Sequence, residues 1–163
     1  LSIVLSVILL VLFVASIAIV MRWLSITYRN LYGLQVLGLT YSHVDAIKSC
    51  FLPTNWLHLP YRIIHEVWLA SDPALPAGGD VWKLQSASWL IRIWWVLFLG
   101  RFFRITISIN PFPADSPALL TVLQAAAWCS AASAAMGAVA GVLFVIIVVG
   151  TERRQWARYD RLQ

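Results

Sequence analysis

The run from Leu1 to Met21 carries no charged residue. About 20 apolar residues in a helix match a hydrocarbon core roughly 30 Å thick, so a run of this kind has few homes other than a bilayer. A second uncharged run, Leu119 to Val149, would be about 46 Å long if wholly helical at 1.5 Å per residue. That exceeds one bilayer core and requires tilt or protrusion. Charged residues make up only 12% of the chain, hydrophobic residues 61%, and mean hydropathy is +0.80. Soluble domains are about a quarter charged. The 163 residues therefore read as one transmembrane helical domain, residues 1–163.

Four hydrophobic elements are expected, at about 1–21, 44–70, 84–103 and 119–149, followed by a basic tail at 151–163. The opening run is longer and more apolar than a signal-peptide core, and no small-x-small cleavage site precedes Met21-Arg-Trp23. It reads as a retained helix, with Arg22, Trp23 and Tyr28 as a headgroup anchor. The chain opens on Leu1 rather than Met, from which a preceding segment is expected. Residues 29–43 are weakly periodic and are expected along the interface, loosened by Gly33 and Gly38. In the second element Pro53 and Pro60 each remove a backbone donor and are expected to bend or break a helix; Asn55 is a candidate cap after Pro53. No alternating pattern suggests a barrel. The alternative to four spans is three spans plus a re-entrant or interfacial second element.

Charge placement bears on this choice. Four spans with both ends cytoplasmic put five basic residues on each side. If the proline-broken element does not cross, nine lie inside and only Arg101 and Arg104 outside. The positive-inside rule prefers the second arrangement, and both put the tail in the cytoplasm. The net charge of +5 is too small for a nucleic-acid groove. Cys50 and Cys129 show no metal-ligand spacing and read as buried thiols.

The segment Phe51 to Trp68 holds the polar exceptions: His58, Arg62, His65 and Glu66, with Arg92 in the third element. Charges in hydrocarbon are costly and mark sites or ion pairs. Arg62 and Glu66 are four apart and share a helix face. Glu66 is therefore expected either to accept from Arg62 and Arg92, or to lie with Arg62 at the interface and snorkel. His43, His58 and His65 fall in one stretch and cannot supply both axial ligands of a haem. A single His on a chlorophyll-type pigment stays open; otherwise no cofactor or metal is expected. Ser133, Gly137 and Gly141 lie on one face of the last helix, suited to close packing of a partner helix or of the chain's own first helix. Trp94 and Trp95 are expected to fill grooves against a partner or a lipid. Arg153, Arg154, Arg158 and Arg161 read as a lipid-facing basic tail. No metalloprotease, P-loop or nucleophile-elbow motif occurs.

Several stretches carry a resemblance: Arg29-Asn-Leu31, Leu39-Thr-Tyr-Ser42, Phe51-Leu-Pro53, and Leu57-His-Leu-Pro-Tyr-Arg-Ile-Ile-His-Glu-Val-Trp-Leu-Ala-Ser71. With Trp94-Trp95, and with Arg153-Arg-Gln155 set against a C-terminal Arg-x-x-Gln element, they resemble the bacterial membrane family filed as domain of unknown function 4328. The resemblance runs from about Arg22 to Arg158. This chain has Leu59 where the family usually has a basic residue, and Arg62 where it has Gln. The resemblance implies a four-helix integral protein of the bacterial inner membrane and no known activity.

The expected function is a non-catalytic accessory subunit of a larger membrane complex, for which a respiratory or photosynthetic energy-conversion complex is one candidate. Its partners would be other membrane subunits and lipids, with no nucleic acid. The alternative is a binding or transport module holding an anionic or proton-linked ligand.

Overall fold

The first helix runs well past the apolar run that starts it. In the computed structural model, residues 2–42, 44–45, 58–76, 78–86, 88–101 and 117–163 are described. Helix α1 spans Ser2–Gly33, 32 residues or about 48 Å. Helix α2 spans Leu59–Ala70. A 3-10 turn, η1, covers Val81–Leu84. Helix α3 spans Trp89–Gly100 and helix α4 Pro117–Leu162. No strand occurs among the described residues. Pro53, Asn55, His43 and Cys50 lie outside them, as do residues 102–116.

Among the described residues, two helices, α1 and α4, are long and apolar enough to cross a membrane by length and composition. The chain divides into two units, residues 1–87 with 149–163, and residues 88–148. Helix α4 belongs to both in turn.

In the first unit, α1 changes character along its length. From Ile3 to Val14 its large apolar side chains are 49–78% exposed. From Leu24 onward one stripe is buried: Leu24, Thr27, Tyr28 and Leu31. That i, i+3, i+4, i+7 spacing is one helix face. Tyr28, expected at the headgroups, is fully buried in this stripe.

The end of α1 is a Schellman motif. The Val36 amide donates to Leu31 O at 3.1 Å and the Gln35 amide to Tyr32 O at 3.0 Å. Both Leu31 and Val36 are buried, which supplies the motif's hydrophobic contact. The left-handed position is Gln35, with φ 56°, and not Gly33. Gly38 takes the next positive φ, +72°. A Cβ there would be strained by this φ and would stand 3.0 Å from Asp80 Cβ, so the turn favours glycine. Ser42 and Asp45 then form a capping box: the Asp45 amide donates to Ser42 Oγ at 3.1 Å, and the Ser42 amide and hydroxyl donate to Asp45 Oδ2.

Pro60 does not break α2; it stands in the first turn, where its missing donor would have had no partner. The helix buries Ile63, Ile64, Glu66, Val67, Leu69 and Ala70 and packs on α1 and η1. At 12 residues, about 18 Å, it is too short to cross a bilayer alone. The η1 turn is tied back to the end of α1, with Trp82 Nε1 donating to Leu37 O at 2.9 Å and the Gly78 amide to Gln35 O at 3.1 Å.

In the second unit, α3 buries Ile91, Trp94 and Trp95. Trp94 stacks against Phe98 and Phe144 with centroids 5.7 and 5.5 Å apart, and Trp95 against Phe98 at 5.4 Å. These tryptophans fill an aromatic cluster of their own chain. Ser133 is buried and its hydroxyl donates to Arg101 O. A Cβ at Gly137 would touch Arg101 Cβ at 3.8 Å, whereas Gly141 has nothing within 4 Å. Two of the three small residues thus pack on the end of α3.

Candidate functional site

Glu66 is a buried carboxylate of the first unit, 5% exposed. Its Oε1 accepts from Tyr28 Oη at 3.2 Å, from the Thr40 amide at 3.0 Å and from the Tyr41 amide at 3.2 Å; Oε2 also accepts from the Thr40 amide, at 3.2 Å. Consecutive backbone amides that converge on an anion form a nest. Here the nest holds the chain's own carboxylate. The turn at Gly38 precedes the amides that form it, and α2 delivers the carboxylate from the other side.

Arg62, the expected ion partner, is exposed, and no ion pair joins it to Glu66 among the described residues. Arg92 is exposed on α3 in the other unit. His58 is exposed, and His65 is half-buried and stacks on Tyr61 with centroids 5.7 Å apart. Of the four candidates in the first unit, His58, Arg62, His65 and Glu66, only Glu66 is buried.

A second polar group lies where α1, α2 and the end of α4 meet. Gln155 Nε2 donates to Thr27 O at 3.3 Å and to Ser71 Oγ at 3.1 Å, and Gln155 Oε1 accepts from Asn30 Nδ2 at 3.1 Å. One side chain thereby joins three segments. Ser71 Oγ in turn donates to Val67 O at 2.7 Å.

The basic tail is helical and turns inward. Arg158 is 2% exposed, so it is not a lipid-facing residue. It donates to Ala70 O at 2.7 Å and to Pro76 O at 3.0 Å. Arg154 donates to Trp68 O at 3.3 Å and Arg161 to Pro73 O at 2.9 Å. The last carbonyls of a helix lack intrahelical donors, and cations are favoured there by the helix dipole. The end of α2 is capped in this way by guanidinium groups from α4. Burial lowers the Arg158 pKa and the nearby Asp72 charge opposes that shift; the group remains a guanidinium cation. Arg154 also lies over the Trp68 ring at 4.1 Å. A Cβ at Gly150, one turn earlier, would stand 2.9 Å from that ring, so the glycine makes room for the indole. Arg153 alone of the four tail arginines is exposed without a bond to another described residue.

The sequence reading missed Tyr28, Thr40, Tyr41, Gln155 and Arg158 as one polar core. A signal was present. Thr151, Gln155 and Arg158 recur at i, i+4, i+7, which is a stripe facing inward and not a solvated tail.

Open grooves among the described residues include two. One of about 410 Å³ is lined by Met21, Arg22, Ser25, Ile26 and Arg29, and another of about 220 Å³ by Arg92, Ile93, Val96 and Leu97. Neither is lined by Glu66, His58 or His65. Among the described residues, no cluster of three His, Cys, Asp or Glu side chains could hold a metal ion.

The helical fold and the nest around Glu66 place the chain among all-α proteins whose buried carboxylate is held by their own backbone amides. The sequence model described as domain of unknown function (DUF4328) matches residues 1–153, and the chain belongs to that family. No curated protein and no solved structure shows significant similarity to it.

Proposed function

We propose that this chain is a non-catalytic structural subunit of a bacterial inner-membrane complex, with its polar core at the cytoplasmic face. The observation that carries this reading is how the polar groups of the Pro-Tyr to Ala-Ser stretch and its surroundings are used. Glu66, Ser71 and the carbonyls of Trp68 and Ala70 bond to the chain's own amides and side chains. Such a core fixes helix ends. The exposed apolar lengths of α1 and α4 are then free for lipid and for neighbouring subunits.

The same bonds bear on topology. Gln155, near the C-terminal end of α4, reaches Thr27 and Asn30, near the C-terminal end of α1. Two helices that cross a bilayer and finish at one face must start at the other. The chain between them then crosses an odd number of times. The apolar stretch 84–103 supplies one return, and α2 stays with the end of α1. Three spans follow. Four spans would put the ends of α1 and α4 on opposite faces, out of reach of each other. Three spans also place nine basic residues inside against two outside, with the C-terminal end of α4 cytoplasmic.

The test is extraction of the full chain in mild detergent, followed by native mass spectrometry and crosslinking. Recovery with partner proteins in fixed ratio is the expected result. Recovery as a monomer that carries a small molecule would replace this reading with the binding-module alternative.

A further inference from the structure

The face of α1 opposite its buried stripe is basic. Arg22 and Arg29 are seven residues apart, two helical turns, and so point the same way, with Ser25 and Ile26 between them. The buried residues Leu24, Thr27, Tyr28 and Leu31 occupy the other side of the helix. Both arginines are exposed, and neither donates a hydrogen bond to, or forms an ion pair with, another described side chain. They line one open groove of about 410 Å³ with Met21, Ser25 and Ile26, and no carboxylate contributes to it. On the N-terminal side of this groove lies the exposed apolar length of α1 from Ile3 to Ile19. Within one helix, then, a bare hydrocarbon-compatible surface runs directly into two guanidinium groups that no described carboxylate pairs.

We propose that the Arg22–Ser25–Arg29 groove binds the phosphate of an anionic phospholipid whose acyl chains lie along Ile3–Ile19. This rests on the membrane reading above. The occupant follows from chemistry. Guanidinium groups donate bidentate bonds to phosphate oxygens, Ser25 adds a hydroxyl donor, and the adjoining apolar surface fits a ligand with a long hydrocarbon tail. A free phosphate would use only the first two features. The position also suits the proposed topology, because the groove lies at the same end of α1 as the polar core, at the leaflet where anionic headgroups attract basic side chains. A lipid held there would brace α1 on the side that the protein itself leaves uncovered.

The experiment uses the full chain in mild detergent and the double variant Arg22→Gln/Arg29→Gln. Native mass spectrometry reads bound phosphatidylglycerol against phosphatidylcholine, with inorganic phosphate as competitor. Each arginine near an anionic surface is worth roughly fivefold in binding, so the double variant should lose roughly twentyfold or more of its preference for the anionic lipid. Thermal unfolding of the delipidated chain should be unchanged, since both positions are exposed, so a loss of lipid preference is not a loss of fold. The wild-type chain should hold the lipid against phosphate alone. An unchanged preference in the double variant overturns the site. Displacement by phosphate at concentrations comparable to the lipid identifies a free-anion site and overturns the lipid assignment. Release of the chain from membranes by alkaline carbonate would sink the membrane reading itself, and that outcome is distinct from the other two.

Discussion

A carboxylate out of water needs either a counter-charge or several well-placed donors. Glu66 has the second. Its donors are two consecutive backbone amides and a buried phenol. Glu66→Gln keeps an acceptor oxygen in the nest but loses the charge and sets an amide N–H₂ against the Thr40 N–H. Bonds to charged groups are worth about 1.5–3 kcal/mol against about 1 for neutral ones, so a loss of about 1–2 kcal/mol is expected. Glu66→Ala strands three donors and should cost about 3 kcal/mol or more. Thermal unfolding in detergent checks both, and equal effects of the two variants would contradict the nest. Gln35 gives the opposite sign. A non-glycine residue at φ 56° bears a strain of roughly 1 kcal/mol, so Gln35→Gly should leave stability unchanged or raise it by up to about 1 kcal/mol, read as an increase in Tm. Gly38 accepts no such exchange in reverse, because its positive φ strains any Cβ and Asp80 crowds the site. From the sequence, Glu66 stood out as a polar residue in an oily segment. Its partners were not legible, since backbone amides carry no letter of their own, and the spacing to Arg62 suggested an ion pair that the helix orientation does not make. Gly33 and Gly38 were both visible as breakers, but the residue that turns the chain first is a glutamine.

At the scale of elements, the end of α2 depends on a helix more than 80 residues further along the chain. The α2 carbonyls of Trp68 and Ala70 and the loop carbonyls of Pro73 and Pro76 each accept from a different guanidinium N–H of Arg154, Arg158 or Arg161. Arg158 is the buried member, so its loss matters most. Arg158→Gln removes donors from Ala70 O and Pro76 O, and a buried carbonyl left unsatisfied costs about 1–3 kcal/mol. A loss of about 2–3 kcal/mol is expected, since Pro76 is exposed and can recover water. Arg153→Gln, five residues away and exposed, should fall within about ±0.5 kcal/mol. A tail that merely met headgroups would make the two variants alike in unfolding, so this pair separates the alternatives. The sequence made the length and apolarity of α1 and α4 plain, because uncharged runs leave little choice. It misplaced their ends. The apolar run of α1 stops at Met21, but hydrogen bonding carries the helix to Gly33, and packing against α2 supports the added turns. In the same way Arg153, Arg154, Arg158 and Arg161 read as a lipid-facing basic tail, although the Thr151, Gln155, Arg158 stripe continues the helix.

At the scale of the whole molecule, the question is how many times the chain crosses. The bond geometry around Gln155 ties the end of α4 to the end of α1, and the proposed three-span topology turns that tie into a statement about sides. Position 33 distinguishes the alternatives. Three spans put it on the same side as the C-terminal end of α4, and four spans put it on the other. Gly33 is exposed, its φ is not positive, and a Cβ there meets nothing within 4 Å, so Gly33→Cys should be tolerated. In a background with Cys50 and Cys129 replaced by serine and alanine, single cysteines at Gly33, Asp160 and Ser116 can be labelled with a membrane-impermeant maleimide in intact cells and again after lysis. Gly33→Cys and Asp160→Cys should both be protected until lysis, and Ser116→Cys should label at once. Labelling of position 33 in intact cells with protection of position 160 would restore four spans. It would also mean that Gln155 does not bond to Thr27 and Asn30 in the membrane, since no side chain of that length crosses a hydrocarbon core of about 30 Å. The test therefore bears on the polar core and the topology together: a helix end cannot be held by a residue on the far side of the bilayer.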